Sequence, residues 1–373
     1  MHPLLDDLDR LIREDPSRVP ARLAEQPDLA QTVGLIDPVT ASEHWAQLCA
    51  SSAGTAGHWN AGPARVALET APEVYGNLNG IPAEDKDAAC RILLERMLAD
   101  VEHLTAAARE QLGHVAAELR RAARAHLLSL FLDGAVPRAA VSFGDPDAAR
   151  LVVVLAHGIV TDLDSLPEWA RTARRIRSQV ADGASVPHDA VAVIAWFGYD
   201  SGTHLTALGT SHATVGAARL AGLLAGIRHR APGAHVALVA YSYSSTMAGE
   251  LIEGGGGRLV DDLFSIASAG ITAEAADAIE ADLYAKVFRF HATESLDDGV
   301  APLGRMSQHP IDPRSVPGAI LYESDGGPVG GHQGIATVGH ASHTPADKPD
   351  EPGYFDPRTE SFLDLVATLT ASL

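Results

Sequence analysis

Cysteine is almost absent from this 373-residue chain: there are two, Cys49 and Cys90, both in stretches that read as helical. Two isolated thiols build neither a disulfide framework nor a cysteine-rich metal site, so free buried thiols and a reducing compartment are expected. Basic side chains are scarce as well, with 28 Lys and Arg against 48 Asp and Glu, a formal net charge of −20. That excess repels phosphate backbones and anionic membrane surfaces, which argues against nucleic acid as a partner. No apolar run approaches the ~18–20 residues that a bilayer span needs. The acidic, amphipathic start MHPLLDDLDRLIRED also lacks the uninterrupted apolar core of a signal peptide, so a cytoplasmic protein is expected. Cofactor motifs are missing too. There is no G-x-x-x-x-G-K-[ST] run, no G-x-G-x-x-G after the first strand, no H-E-x-x-H and no clustered Cys/His spacing. Gly254 to Gly257 is four glycines in a row, a loop rather than a phosphate cradle. No cofactor and no metal are therefore expected.

What is present is an ordinary globular composition, 46% hydrophobic and 20% charged. Residues 1–135 read as an N-terminal helical region. Its longest segment, Asp100 to Leu132, is rich in Ala, Leu, Glu and Arg with apolar residues at three- and four-residue steps. Shorter helices are expected over 3–14, 40–50 and 83–98, the last opened by Pro82 after the turn-rich link Tyr75 to Pro82. From residue 136 the texture changes. Short β-branched runs are expected as strands at 138–143, 150–156, 189–197, 235–241, 262–268, 285–292 and 317–323. Helices fill 163–182, 211–228, 246–253 and 272–283. Runs such as LVVVLA and AVAVIAWF, separated by helices, indicate a parallel sheet covered on both faces. Reactive groups gather at the carboxyl ends of such strands. Asp325 to Pro357 reads as one long loop, of a length that is usually functional or mobile.

The stretch HVALVAYSYSSTM, 235–247, organises the rest. An apolar strand runs into Ser242 and out into a small-residue helix, the context of a nucleophile elbow. The residues two before and two after the serine must be small. Here they are Ala240 and Ser244 instead of two glycines, so the motif is degenerate and a plain Ser/Thr-rich turn is the alternative. In the chain order Ser, acid, His, the turn after strand 285–292 supplies Asp298, ahead of Asp297. The base comes from the loop before the C-terminal helix, where His343 and His340 are the candidates with His332 behind them. Oxyanion donors are expected from the backbone of Tyr243 and of Ile159, with Gly158 allowing close approach. His157, Tyr199, Asp200 and Tyr241 stand at strand ends as candidate pocket residues. The fold expected is α/β: an α/β-hydrolase-type, mostly parallel sheet flanked by helices over 136–373, with the region 1–135 as a cap or as packing support.

Further runs are similar to a known family. Ala192 to Asp200, AVIAWFGYD, resembles the V-x-W-x-G-Y-D-x-P strand of the actinobacterial α/β-hydrolases once classed as domain of unknown function 1023. Ala240 to Thr246 resembles that family's G-H-S-Y-G-S-T, Val260 to Leu263 its V-D-D-L, and Ser268 to Gly270 its S-P-G. Asp298 to Ala301 resembles D-P-V-A, His309 to Pro313 resembles H-G-x-D-P, and Gly76 to Ala83 is close to G-N-L-D-G-I-P-A. The resemblance spans most of residues 75–360 and implies a serine-hydrolase fold with Ser242 and Asp298 as triad members. The family's histidine stands in an H-x-x-Y context, which is stretched here in GHASHTPADKPDEPGYFD, so His340 and His343 both stay open. Both elbow glycines, the elbow histidine and the proline of G-Y-D-x-P, here Ser201-Gly202, are replaced.

The expected activity is serine-dependent acyl chemistry on a small-molecule ester, thioester, lactone or amide. An acyltransferase or cyclase using the same triad, or a non-catalytic binding protein of the same fold, are the alternatives.

Overall fold

The computed structural model describes residues 2–26, 28–50, 62–100 and 102–373. Eight strands form one sheet: β1 (Ala125–Asp133), β2 (Val136–Phe143), β3 (Leu151–Ala156), β4 (Val191–Phe197), β5 (His235–Tyr241), β6 (Asp262–Ile266), β7 (Arg289–Thr293) and β8 (Ile320–Leu321). Their spatial order is β1-β2-β4-β3-β5-β6-β7-β8. β1 and β2 are antiparallel to each other and β2 is antiparallel to β4, while β4 through β8 are all parallel. Chain order reverses around β3, which lies between β4 and β5. That reversal opens a crevice at the carboxyl ends of these strands.

The period of two along the apolar runs decides which helices cover which face. In β3, Leu151, Val153 and Leu155 point into one core. There they meet Trp169 and Ile176 of the helix Leu166–Gly183 and Phe362 and Leu365 of the C-terminal helix Glu360–Thr370. Val152, Val154 and Ala156 point into the other, against Leu220 and Leu224 of the helix Ser211–Arg230 and Met247 of the helix Ser244–Glu253. Every residue of β3 and β4 is buried, as their continuous apolar runs require. A third core is confined to the N-terminal helices, where Leu5, Leu8, Trp45, Leu48 and Tyr75 pack together. The helix Ala83–Ala99 packs on β1, and the helix Ala106–Arg121 on β2.

The helix expected over 100–132 ends at Arg121, and its last third is the strand β1; Val101 lies outside the described residues. HLLSLFLD is apolar enough to read either way. What selects the strand is the two-residue turn Gly134-Ala135, with Gly134 at φ 62°, which folds β1 onto β2, the register shifting once between Leu127 and Ser129. The sheet therefore begins at Ala125, and the boundary drawn at residue 135 falls inside a hairpin. Several expected strands are shorter: 189–197 starts at Val191, 262–268 ends at Ile266, 285–292 starts only at Arg289, after Lys286 at φ 57°, and 317–323 reduces to Ile320–Leu321. The loop 325–357 contains one small hairpin, Pro328–Val329 with His332–Gln333, and its remainder is irregular.

At the end of the sheet away from the serine, Asp262 is completely buried and accepts from His235 Nε2 at 2.6 Å, His291 Nε2 at 3.0 Å and Arg289 Nε at 2.7 Å. Burial opposes its charge, but the hydrogen bonds from these three side chains outweigh that, and the carboxyl titrates far below its usual range. Its contribution to stability is thus present above the ordinary carboxylate pKa and is lost only when the pH falls through the depressed value. Asp262→Ala, which leaves Arg289 and two histidines without their acceptor, is expected to cost about 3–5 kcal/mol in urea unfolding at pH 7. A change below about 1 kcal/mol would contradict this account of the cluster.

Candidate active site

β5 delivers Ser242 to the carboxyl edge of the sheet, and the helix Ser244–Glu253 leaves from it at once. Ser242 has φ 57°, a left-handed conformation that disfavours a side chain, and its N–H donates to Ile266 O at 2.9 Å. The neighbours that replace glycine fit without displacing the turn. Ala240 pairs with Ala156 of β3, and Ser244 is fully buried with its Oγ 2.9 Å from Ala156 O and 2.8 Å from Tyr241 O. A hydroxymethyl group so placed fills the space that a glycine leaves empty and bonds its own oxygen. Two more non-glycine residues at this edge are left-handed, Val160 at φ 52° and Ala267 at φ 51°. Such strain persists only where surrounding bonds over-determine it.

Ser242 Oγ lies 2.8 Å from His340 Nε2, and His340 Nδ1 lies 2.7 Å from Asp298 Oδ2. An ionised carboxylate only accepts, so Nδ1 carries the proton and Nε2 faces the serine hydroxyl as an acceptor. The Tyr241 hydroxyl donates to the carbonyl of His340 and fixes the backbone that carries the imidazole. Asp298 is buried and takes four hydrogen bonds: from His340 and Tyr354 Oη on Oδ2, and from the N–H groups of Val300 and Ala301, each at 3.0 Å, on Oδ1. Burial works against its charge, but the bond and charge of His340 and the two amides outweigh it and hold the carboxyl below its ordinary value. Asp297 takes no part in this arrangement.

His343 does not share the site. Its Nε2 is 2.9 Å from Thr172 Oγ1, its Nδ1 is 3.1 Å from Ser342 Oγ, and its ring stands edge-on to Trp169. The ring is half-buried, packed against Trp169 and Phe355. His332 sits exposed in the small hairpin.

Gly158 lies against the serine: a Cβ there would meet Ser242 Cβ at 2.9 Å. The N–H groups of Ile159 and Tyr243 donate to no acceptor among the described residues. Val160 N–H donates to Gly202 O at 3.3 Å, so the Ser201-Gly202 pair, found where the resembled family has proline, ties down the loop that carries Ile159. Three of the four expected pocket residues are framework. His157 is buried with Nδ1 2.9 Å from Gly158 O and its ring stacked between Phe197 and Tyr199. Tyr199 is fully buried and donates to His157 O at 2.8 Å. Tyr241 is buried against Phe355 and Tyr354. Aromatic strand ends of this size pack inward because burial of their area outweighs exposure of one hydroxyl. Asp200 alone is exposed, 3.4 Å from Arg138 and 3.4 Å from His212.

Tyr354 is the tyrosine that completes the stretched histidine motif, and its spacing in the sequence gives it no place among the candidate site residues. It donates to Asp298 at 3.0 Å and accepts from Ser295 N–H at 2.8 Å. The inserted residues displaced it from its expected spacing. No group of three or more His, Cys, Asp and Glu is arranged to hold a metal ion among the described residues. No described helix is long and apolar enough to cross a membrane.

Residues 133–307 match the model of a family described as alpha/beta hydrolase. The matched segment contains Ser242 and Asp298 and stops before His340. Among solved structures, the chain is similar to LpqC, a poly(3-hydroxybutyrate) depolymerase from Bordetella parapertussis, at 16% identity and a TM-score of 0.34, over 61% of this chain and 88% of that one. It is also similar to the esterase RhEst1 from Rhodococcus sp. ECU1013, at 13% identity and a TM-score of 0.32, over 65% of this chain and 97% of that one. No curated protein matches the chain.

Burial pushes His157 and His343 down to about 4. Both sit below the unfolded histidine value of about 6.5, so the unfolded chain takes up protons first as the pH falls. Their stabilising effect is whole above about pH 6.5 and is lost progressively toward pH 4, with a slope of at most about 1.4 kcal/mol per pH unit for each. Urea unfolding at pH 7, 5.5 and 4 measures this. His343→Gln is expected to flatten the slope, and an unchanged slope would count against a His343 held neutral by its packing.

Proposed function

On this α/β-hydrolase fold, we propose that the protein is a serine hydrolase that cleaves a small-molecule ester, thioester, lactone or amide through an acyl-enzyme on Ser242. One observation carries the reading: the unbroken run of short hydrogen bonds from Ser242 Oγ through His340 to a buried, ionised Asp298. Neutral His340 takes the hydroxyl proton as Oγ attacks the acyl carbonyl, and Asp298 holds the tautomer and stabilises the imidazolium. The tetrahedral oxyanion develops beside the unused N–H groups of Tyr243 and Ile159. Each such donor is worth about 3–4 kcal/mol to the transition state. His340 then returns its proton to the leaving group, and activated water releases the acyl chain. The family match over 133–307 supports a hydrolase, and the motifs similar to the former domain of unknown function 1023 support the same residues. A binding protein that had lost catalysis would have no need to keep three side chains in reach of one another while holding the serine backbone left-handed.

Reaction with a fluorophosphonate probe is expected to modify Ser242, and Ser242→Ala to abolish the adduct. His340→Ala is expected to slow hydrolysis of p-nitrophenyl acetate by at least about 10³-fold, with His343→Gln close to wild type. Equal loss in the two histidine variants would sink the assignment of His340.

Tyr354→Phe removes one donor to Asp298 while keeping the ring. The expected effect is a fall of about tenfold in kcat with KM little changed, because the carboxylate keeps its other three bonds. Steady-state kinetics on the same ester checks it.

A further inference from the structure

The edge of the sheet that bears Ser242 also carries apolar side chains that the chemistry above does not use. Six described large apolar residues are at least 60% exposed, and five of them, Val160, Leu205, Leu296, Leu303 and Met306, stand here; the sixth, Tyr284, belongs to the opposite end. Leu296 reaches 87% and Met306 83%. Scattered single apolar residues need no explanation, but a gathered set rimming a reactive group marks a binding surface.

The gathering follows from how the three loops are tied. Val160 succeeds Ile159 and is bonded to Gly202 O. The 203–209 loop is anchored by Tyr243 Oη, which donates to Gly209 O at 2.6 Å, and by Gln308 N–H, which donates to Leu208 O at 3.2 Å. The segment with Leu303 and Met306 starts from the amides that hold Asp298, and its Gly304 packs on Ala269, whose N–H is 3.4 Å from Ser242 O. Each apolar group is therefore held a few residues from an atom that touches the serine or its neighbours. Val160 is β-branched, left-handed and 63% exposed together, a combination that folding alone does not favour.

Charge selects the occupant. Segments 159–164, 200–209 and 296–308 contain no lysine and a single arginine. That arginine, Arg305, has its side chain 11% exposed and committed to Glu294 at 2.7 Å and Asp312 at 2.8 Å. With a net charge of −20 on the whole chain, the rim has nothing to offer an anionic headgroup. Resting on the serine-hydrolase reading, we propose that this rim docks on the surface of aggregated, uncharged long-chain acyl esters and presents their carbonyls to Ser242.

The test uses the full chain and four probes: a triolein emulsion, phosphatidylglycerol vesicles, a medium-chain triacylglycerol and soluble p-nitrophenyl acetate. Ser242→Ala protein is expected to float with triolein and not with phosphatidylglycerol. In the catalytic protein, hydrolysis of a medium-chain triacylglycerol should rise sharply once its solubility limit is passed. The triple variant Leu205→Ser/Leu303→Ser/Met306→Ser should lose flotation and lower the emulsion-to-soluble rate ratio at least tenfold. Flotation unchanged in the triple variant, equal binding to both lipids, or a rim that proves to be covered by a second copy in sedimentation would each overturn the proposal. Flotation is read on the inactive serine variant. Absence of any Ser242 adduct would therefore defeat the hydrolase reading without deciding this one, and absence of flotation would do the reverse.

Discussion

A serine at φ 57° can be held only if its neighbours leave no other path for the chain, and much of the rest of the structure serves that one backbone constraint. The N–H of Ser242 is tied to the end of β6, the carbonyl of Ser242 accepts from Ser245 and Ala269, and Ser244 is bonded into β3. Three parallel strands thus converge on one residue. Parallel pairing, with every side chain of these strands but that of His235 buried, makes that convergence rigid. The substitution of both elbow glycines shows what the turn needs. It needs small volume at the second position, and a hydroxyl placed there must be bonded, as that of Ser244 is.

The proposed base reaches the serine by another route. His340 lies on irregular chain, beyond the last strand of the sheet, and irregular chain holds a side chain poorly unless its backbone is bonded. Here Tyr241 anchors the His340 carbonyl from β5, while Asp298 holds the ring from the turn after β7. Tyr354 links the same aspartate to Ser295 and to the approach of the C-terminal helix. Asp298 is the meeting point of three chain segments, its own turn and the stretches bearing His340 and Tyr354, and its charge is kept by donors rather than by water.

Much of this could be read from residues alone. Alternating and continuous apolar runs give the strands β2 to β7, and strand–Ser–helix context together with the acid after β7 points to Ser242 and Asp298. What could not be read has physical reasons. HLLSLFLD satisfies helical and extended patterns equally, and only pairing across Gly134-Ala135 distinguishes them. Two histidines three residues apart are equivalent on paper. Packing against Trp169 and a bond to Thr172 hold His343 away from the serine, and that depends on the path of a loop without periodicity. Tyr199 and His157 sit at strand ends beside the serine, yet they face into the packing. Proximity along the sequence to a strand end does not tell which way a ring turns.

The excursion between His343 and Gly353 is closed at its neck. Tyr354 N–H donates to Ala341 O at 3.0 Å, Phe355 N–H to Ser342 O at 2.8 Å, and Thr344 Oγ1 to Asp356 at 2.6 Å. Gly353 fits against Ala341 and His343 so tightly that a Cβ would come within 2.6 Å of the Ala341 carbonyl. Residues beyond this clasp are spectators to the imidazole, and adding to them costs little more than the entropy of a longer ring, about 0.6 kcal/mol per doubling. The chain has here a place where its length can drift between relatives, or be extended by a grafted sequence, without disturbing the residues that hold the histidine.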